Sequence, residues 1–174
     1  MTPDGKEGGD MKLRLNPEFF RRHLFVTVLM AGLGGWFAWD GLVRYPATPA
    51  RELFTRIEKA EPPADADLEA FKAQKIQTQY GFAALALAAA AAVGLHLLAV
   101  ARFAFAFDED GFVWQDRRHA FAEITRVDDA QWEKKGITRI FFGKTSLALD
   151  AWHHVGVREF HERLRAAGAA EGRT

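Results

Sequence analysis

The sequence predicts a membrane α-helical hairpin followed by a small soluble α+β domain. Three observations carry that expectation. Two apolar blocks, near residues 24–43 and 80–101, stand in an otherwise strongly charged chain. The residue period then changes from helical to alternating at Phe103, and an amphipathic helical run follows near the C-terminus. The expected organisation is a flexible N-terminal tail at 1–18, a hairpin at 19–101 with a helical extramembrane loop at 44–79, a folded domain at 102–168 and a tail at 169–174.

Composition narrows the functional classes. The 23 basic and 23 acidic residues give a net charge of zero, so no global field draws nucleic acid, and no nucleic-acid partner is expected. The absence of cysteine excludes disulfides, thiolate metal sites and cysteine nucleophiles.

The first block, Leu24 to Val43, is long enough at about 1.5 Å per residue to cross roughly 30 Å of hydrocarbon. Arg21, Arg22 and His23 stop it at one end, and Trp36, Trp39 and Tyr45 lie where amphipathic rings meet headgroups. A cleaved signal peptide is the competing reading. The run exceeds an ordinary h-region, no A-x-A site follows at the right distance, and a second apolar block comes later. That block, Tyr80 to Ala101, carries no formal charge, and Arg102 bounds it. The bilayer is thus an expected partner, with Arg21, Arg22, Trp36, Trp39 and Arg102 at its interfaces.

Small residues at four-residue spacing allow close backbone approach: Ala31 with Gly35, Gly34 with Ala38, and Ala90 with Gly94. Packing within the hairpin and packing against another subunit, including a second copy of the chain, both remain open. His96 is the one ionisable side chain well inside either block, where a structural role is expected and a cofactor ligand is the minority reading.

In the loop, Thr48 and Pro49 read as an N-cap and first helical residue. Leu53, Phe54 and Ile57 share one face, Glu61, Pro62 and Pro63 break the helix, and Asp65 or Asp67 caps the next, so the second long helix starts as early as Asp67. The apolar stripe of the loop either covers the hairpin mouth or contacts a partner. Basic residues near the membrane ends tie between the two sides, but Arg21, Arg22 and Arg102 abut the helices and favour cytoplasmic termini.

After Arg102 the pattern is extended. Phe103, Phe105 and Phe107 alternate with alanine, Asp108 to Gly111 form a turn, and Phe112 to Trp114 complete a hairpin. Further strands are expected at 123–127, 137–142 and 146–149. Val157, Phe160, His161 and Leu164 give a closing helix one apolar face, with Gly168 as its stop.

The run Phe105 to Phe112 (FAFDEDGF), then Phe121 to Ile124 (FAEI), Trp132 to Ile137 (WEKKGI) and the closing helix resemble the bacterial membrane proteins that carry a small pleckstrin-homology-like domain after a transmembrane hairpin. Phe121 departs from the tryptophan that family often has there. The resemblance implies a curved antiparallel sheet or partial barrel capped by the C-terminal helix. It also implies an inner-membrane location with the domain facing the cytoplasm.

No catalytic constellation is present. Adjacent His153 and His154 on a strand point to opposite faces, as do Asp128 and Asp129, and no nucleophile-elbow, phosphate-loop or zinc-protease pattern occurs. Neither an enzyme nor a cofactor nor a metal is expected. For lipid headgroups the local candidates are Arg117, Arg118 and His119, within a domain whose acids and bases balance. For protein contacts they are Trp114, Trp132 and Trp152. The expected function is a non-catalytic accessory or scaffold subunit that docks a membrane-protein or cytoplasmic partner. A lipid- or ligand-sensing module is the alternative, and a structural subunit of a redox or photosynthetic complex the remote one.

Overall fold

The structure is a computed structural model that describes residues 11–168. The chain divides into two compact units, Arg21–Leu97 and a second unit whose described residues are 11–20 and 98–168.

The first unit is a helical hairpin. Helix α1 (Pro17–Trp39) continues through a π-helical turn (Asp40–Arg44) into a short α2 (Tyr45–Ala47). After α3 (Ala50–Glu58), helix α4 (Leu68–Ala101) returns antiparallel to α1. The stretches Pro17–Ala47 and Leu68–Ala101 are both long and apolar enough to cross a membrane, and 17 % of the residues in the most apolar window of each are buried. Apolar residues run round both helices rather than along one stripe. At about 1.5 Å per residue, the 34 residues of α4 exceed a hydrocarbon core by several turns, and its polar start follows Asp67, whose Oδ1 accepts from the Ala70 amide at 3.0 Å.

The small residues of α1 separate into two faces. A Cβ on Gly34 would meet Leu87 Cγ at 2.7 Å, and one on Gly94 would meet Thr27 Cγ2 at 3.5 Å. Ala90 is buried and Ala38 half-buried. Around Gly35, in contrast, a Cβ would find nothing within 4 Å, and Ala31 is exposed. Phe37 and Phe82, 5.4 Å apart between centroids, fill the space one turn on.

The loop is a helical elbow with its stripe turned inward: Leu53 is fully buried, and Phe54 lies 4.8 Å from Phe71 on α4. Lys72 Nζ donates to the Pro46 carbonyl at 2.9 Å, and Lys75 Nζ meets Glu58 at 3.2 Å. Two expectations are corrected here. Pro49, not Thr48, occupies the N-cap of α3, because the Thr48 hydroxyl donates back to the Arg44 carbonyl at 2.8 Å and closes the preceding turn. Helix α3 also ends before the prolines, at Lys59 in the left-handed region with φ 58°.

The second unit is an antiparallel α+β domain. Its strands are β1 (Met11–Lys12), β2 (Arg14–Leu15), β3 (Phe105–Phe107), β4 (Gly111–Trp114), β5 (Arg117–Ala120), β6 (Ile124–Gln131), β7 (Ile137–Phe142), β8 (Thr145–Asp150) and β9 (His154–Val155). Among the described residues they form sheets in the orders β1-β3-β4-β5, β6-β7-β8 and β2-β9, with no closed barrel. A single helical turn, α5 (Trp132–Lys135), joins β6 to β7, and α6 (Val157–Ala166) closes the core.

Phe105, Phe107 and Phe112 enter that core with Ile124, Ile140, Leu149, Phe160 and Leu164. Asp108 makes the β3–β4 turn by accepting the amides of Asp110 and Gly111 at 2.9 and 3.0 Å. The first strand after α4 starts at Phe105, not Phe103, so residues 102–104 alone separate α4 from β3.

The tail expected at 1–18 is too long, since residues 11–18 are structured. Met11 and Lys12 pair with Phe107 and Ala106, and Arg14 and Leu15 pair with Val155 and His154. Asn16 then caps α1 by accepting the Glu18 amide at 2.9 Å, with Pro17 at the first helical position, while its Nδ2 donates to the Trp152 carbonyl at 3.0 Å. The rest of that segment, 1–10, and the tail at 169–174 lie outside the described residues.

Candidate functional site

Two tight hairpin ends border a polar cleft in the domain. Trp114 and Arg117 are partners across a two-residue turn whose residues Gln115 and Asp116 both have positive φ, 51° and 59°. That geometry matches the right-handed twist of the flanking strands. Phe142 and Thr145 are partners across Gly143 and Lys144, with Gly143 at φ 55°. The two turns and Glu123 enclose a cleft of about 450 Å³. An adjoining depression of about 480 Å³ shares Lys144 and adds Arg126 and Ser146.

Aromatic packing fixes the floor. Trp114 meets Phe142 edge to face at 5.8 Å, and the His119 ring lies 4.8 Å from Phe142 and stacks at 5.2 Å on Phe112. His119 Nδ1 and Glu123 Oε2 are 2.9 Å apart, and Glu123 Oε1 accepts the Ala120 amide at 3.0 Å. The His119 contact first, then that amide, holds the Glu123 carboxyl below its ordinary pKa.

Cations in the cleft differ in how they are engaged. Arg117 and Lys144 have no carboxylate partner among the described residues, and Arg126 lies 3.9 Å over the Phe141 ring. Arg118 is committed elsewhere, to Asp108 at 2.6 Å. Partial burial alone would raise the Asp108 pKa, but the Asp110 amide, the Arg118 guanidinium and the Gly111 amide outweigh it and bring the pKa below the ordinary value. Among the described residues the cleft thus offers two cations without a carboxylate partner, an indole and a hydroxyl, next to a Glu123 carboxylate already engaged by His119 and the Ala120 amide, and the two cations suit carboxylates or phosphates.

The other two tryptophans stand apart from this cleft. Trp132 is half-buried and stacks on His161 with centroids 3.7 Å apart. Trp152 is 38 % exposed and meets the buried Phe19 edge to face at 6.4 Å. The residues expected at the membrane interfaces, Arg21, Arg22, Trp36, Trp39 and Arg102, are all exposed. His96 lies 6.0 Å from His23 between ring centroids, and no group of three His, Cys, Asp or Glu side chains among the described residues could hold a metal.

Comparison with family models, curated proteins and solved structures finds no match to this chain. Its chemistry therefore rests on its own residues.

Two features were missed by sequence reasoning. Lys144 falls between the strands expected at 137–142 and 146–149, but its nearness to Arg117 depends on two hairpins from different sheets. The second is a buried polar network. Asp129 accepts from Thr138 Oγ1 at 2.6 Å through Oδ1, while Oδ2 lies 2.9 Å from His161 Nε2. Thr138 and His161 are 0 % and 2 % exposed. The signal was local: Asp128 and Asp129 point to opposite sides of β6, so one of the pair had to face the core.

Proposed function

We propose that the protein is a non-catalytic accessory or scaffold subunit of the bacterial inner membrane, with cytoplasmic termini. Its pleckstrin-homology-like domain docks a protein partner at the membrane surface. The membrane part of this reading is supported by two long helices that are apolar all round and mostly exposed, a surface that water disfavours and lipid accepts. The short stretch 102–104 supports a domain tethered near the end of α4.

The observation that carries the docking role is the cleft of Trp114, Arg117 and Lys144. A tryptophan beside cations that lack internal partners complements an acidic segment with an apolar anchor. Extraction in mild detergent should yield the protein with a stoichiometric partner, and the double substitution Arg117→Glu, Lys144→Glu should release that partner while the protein stays in the membrane fraction. A partner-free monomer from native membranes, or a partner indifferent to the double substitution, would remove this reading.

A further inference from the structure

The Phe/Ala alternation around β3 has two faces. Phe105 and Phe107 fill the core, so the intervening Ala106 faces outward, and Ala104, one residue before the strand, is exposed. Alanine leaves that outer face low. Lys12, Ala106 and Val113 are successive cross-strand partners on β1, β3 and β4, and with Arg102, Phe103 and Trp114 they border a trough of about 680 Å³. Lys12 and Arg102 are exposed and have no carboxylate partner among the described residues, and Asp116 is the one acid among the described residues that line the trough.

We propose that this trough binds an anionic phospholipid, its phosphate held by Lys12 and Arg102 and its glycerol and first acyl carbons resting on Ala104, Ala106 and Val113. The inference rests on the membrane reading above. Arg102 is the first residue beyond α4, which puts its guanidinium at headgroup level when that helix spans. An indole at the trough's edge suits the same interfacial depth. Two cations against one acid favour an anionic over a zwitterionic headgroup. A peptide is the poorer occupant, because the trough floor is the strand β3, paired on both sides, and the edge strand beside it, β1, is only two residues long.

The test uses the full chain in non-ionic detergent, titrated with phosphatidylglycerol, phosphatidylcholine of the same acyl length, or inorganic phosphate, with bound lipid counted by native mass spectrometry. Phosphatidylglycerol should bind in preference to phosphatidylcholine, and Lys12→Gln with Arg102→Gln should weaken it by about thirtyfold without lowering the melting temperature. Ala106→Leu, which fills the trough and keeps its charges, should weaken it too. Inorganic phosphate binding as tightly as the lipid would overturn the proposal, as would loss of a protein partner in the Lys12, Arg102 variant with lipid binding intact. Release of the wild type from membranes by alkaline carbonate would defeat the membrane reading itself. Retention in the membrane with unchanged lipid binding in both variants would defeat the trough alone.

Discussion

His154 donates its Nε2 proton to the carbonyl of Val100 across 3.1 Å, with the Phe103 ring 5.0 Å from its own. The Val100 carbonyl, in the last turn of α4, also accepts the Phe103 amide at 3.2 Å, so the imidazole is its second donor. Burial disfavours the imidazolium and brings the His154 pKa below its ordinary 6.5, although the Val100 carbonyl and Asp150 pull the other way. The unfolded chain then binds more protons than the folded one at pH just below 6.5, so stability present above that pH is lost as pH falls toward the folded pKa. Thermal melts of the wild type should drop between about pH 7 and about pH 5, and the drop should shrink in His154→Gln. An identical pH slope in both proteins would count against this account.

Gly34→Leu and Gly35→Leu should differ sharply despite being neighbours. Leu87 occupies the space beside Gly34, whereas nothing stands within 4 Å of a Cβ at Gly35. Overpacking at Gly34 should cost about 1–3 kcal/mol of hairpin stability. Because the chain has no cysteine, cross-linking of Thr27→Cys to Gly94→Cys reads helix proximity cleanly. Its yield should fall with Gly34→Leu and hold with Gly35→Leu.

Gly111→Ala should unfold the domain or lower its melting temperature strongly. A Cβ there would collide with the His119 carbonyl oxygen and reach the Ala120 Cα at 3.0 Å, both backbone atoms of β5 that cannot rotate away. The expected loss is about 3 kcal/mol, readable by circular dichroism. A variant that melts like the wild type would disprove the close approach of β4 and β5.

Asp129→Ala should destabilise the domain by about 2–3 kcal/mol, because it strips a partner from both Thr138 and His161 in the core. Trp132→Ala should act in the same way, through lost packing on His161, and leave partner affinity unchanged once folding is accounted for. Trp114→Ala is the contrasting case. It should reduce partner binding more than it reduces stability, as measured by co-purified partner against melting temperature.

The sequence by itself determined the features written in a local period or a local turn. Two apolar runs mark α1 and α4, the Phe/Ala alternation assigns β3, Asp108 to Gly111 mark a turn, and four apolar-face residues at helical spacing mark α6. Each of these depends on residues within a few positions of one another. Tertiary structure alone decided the rest, because those features join residues whose spacing carries no period. Met11–Lys12 and Arg14–Leu15 are too short to show alternation and become strands only when β3 and β9 supply their hydrogen bonds. Gly34 and Gly35 look alike until the rotational phase of α1 against Leu87 separates them. Lys144 joins Arg117 and Trp114, and Arg102 joins Lys12, because sheet pairing brings distant turns and strand ends to one surface.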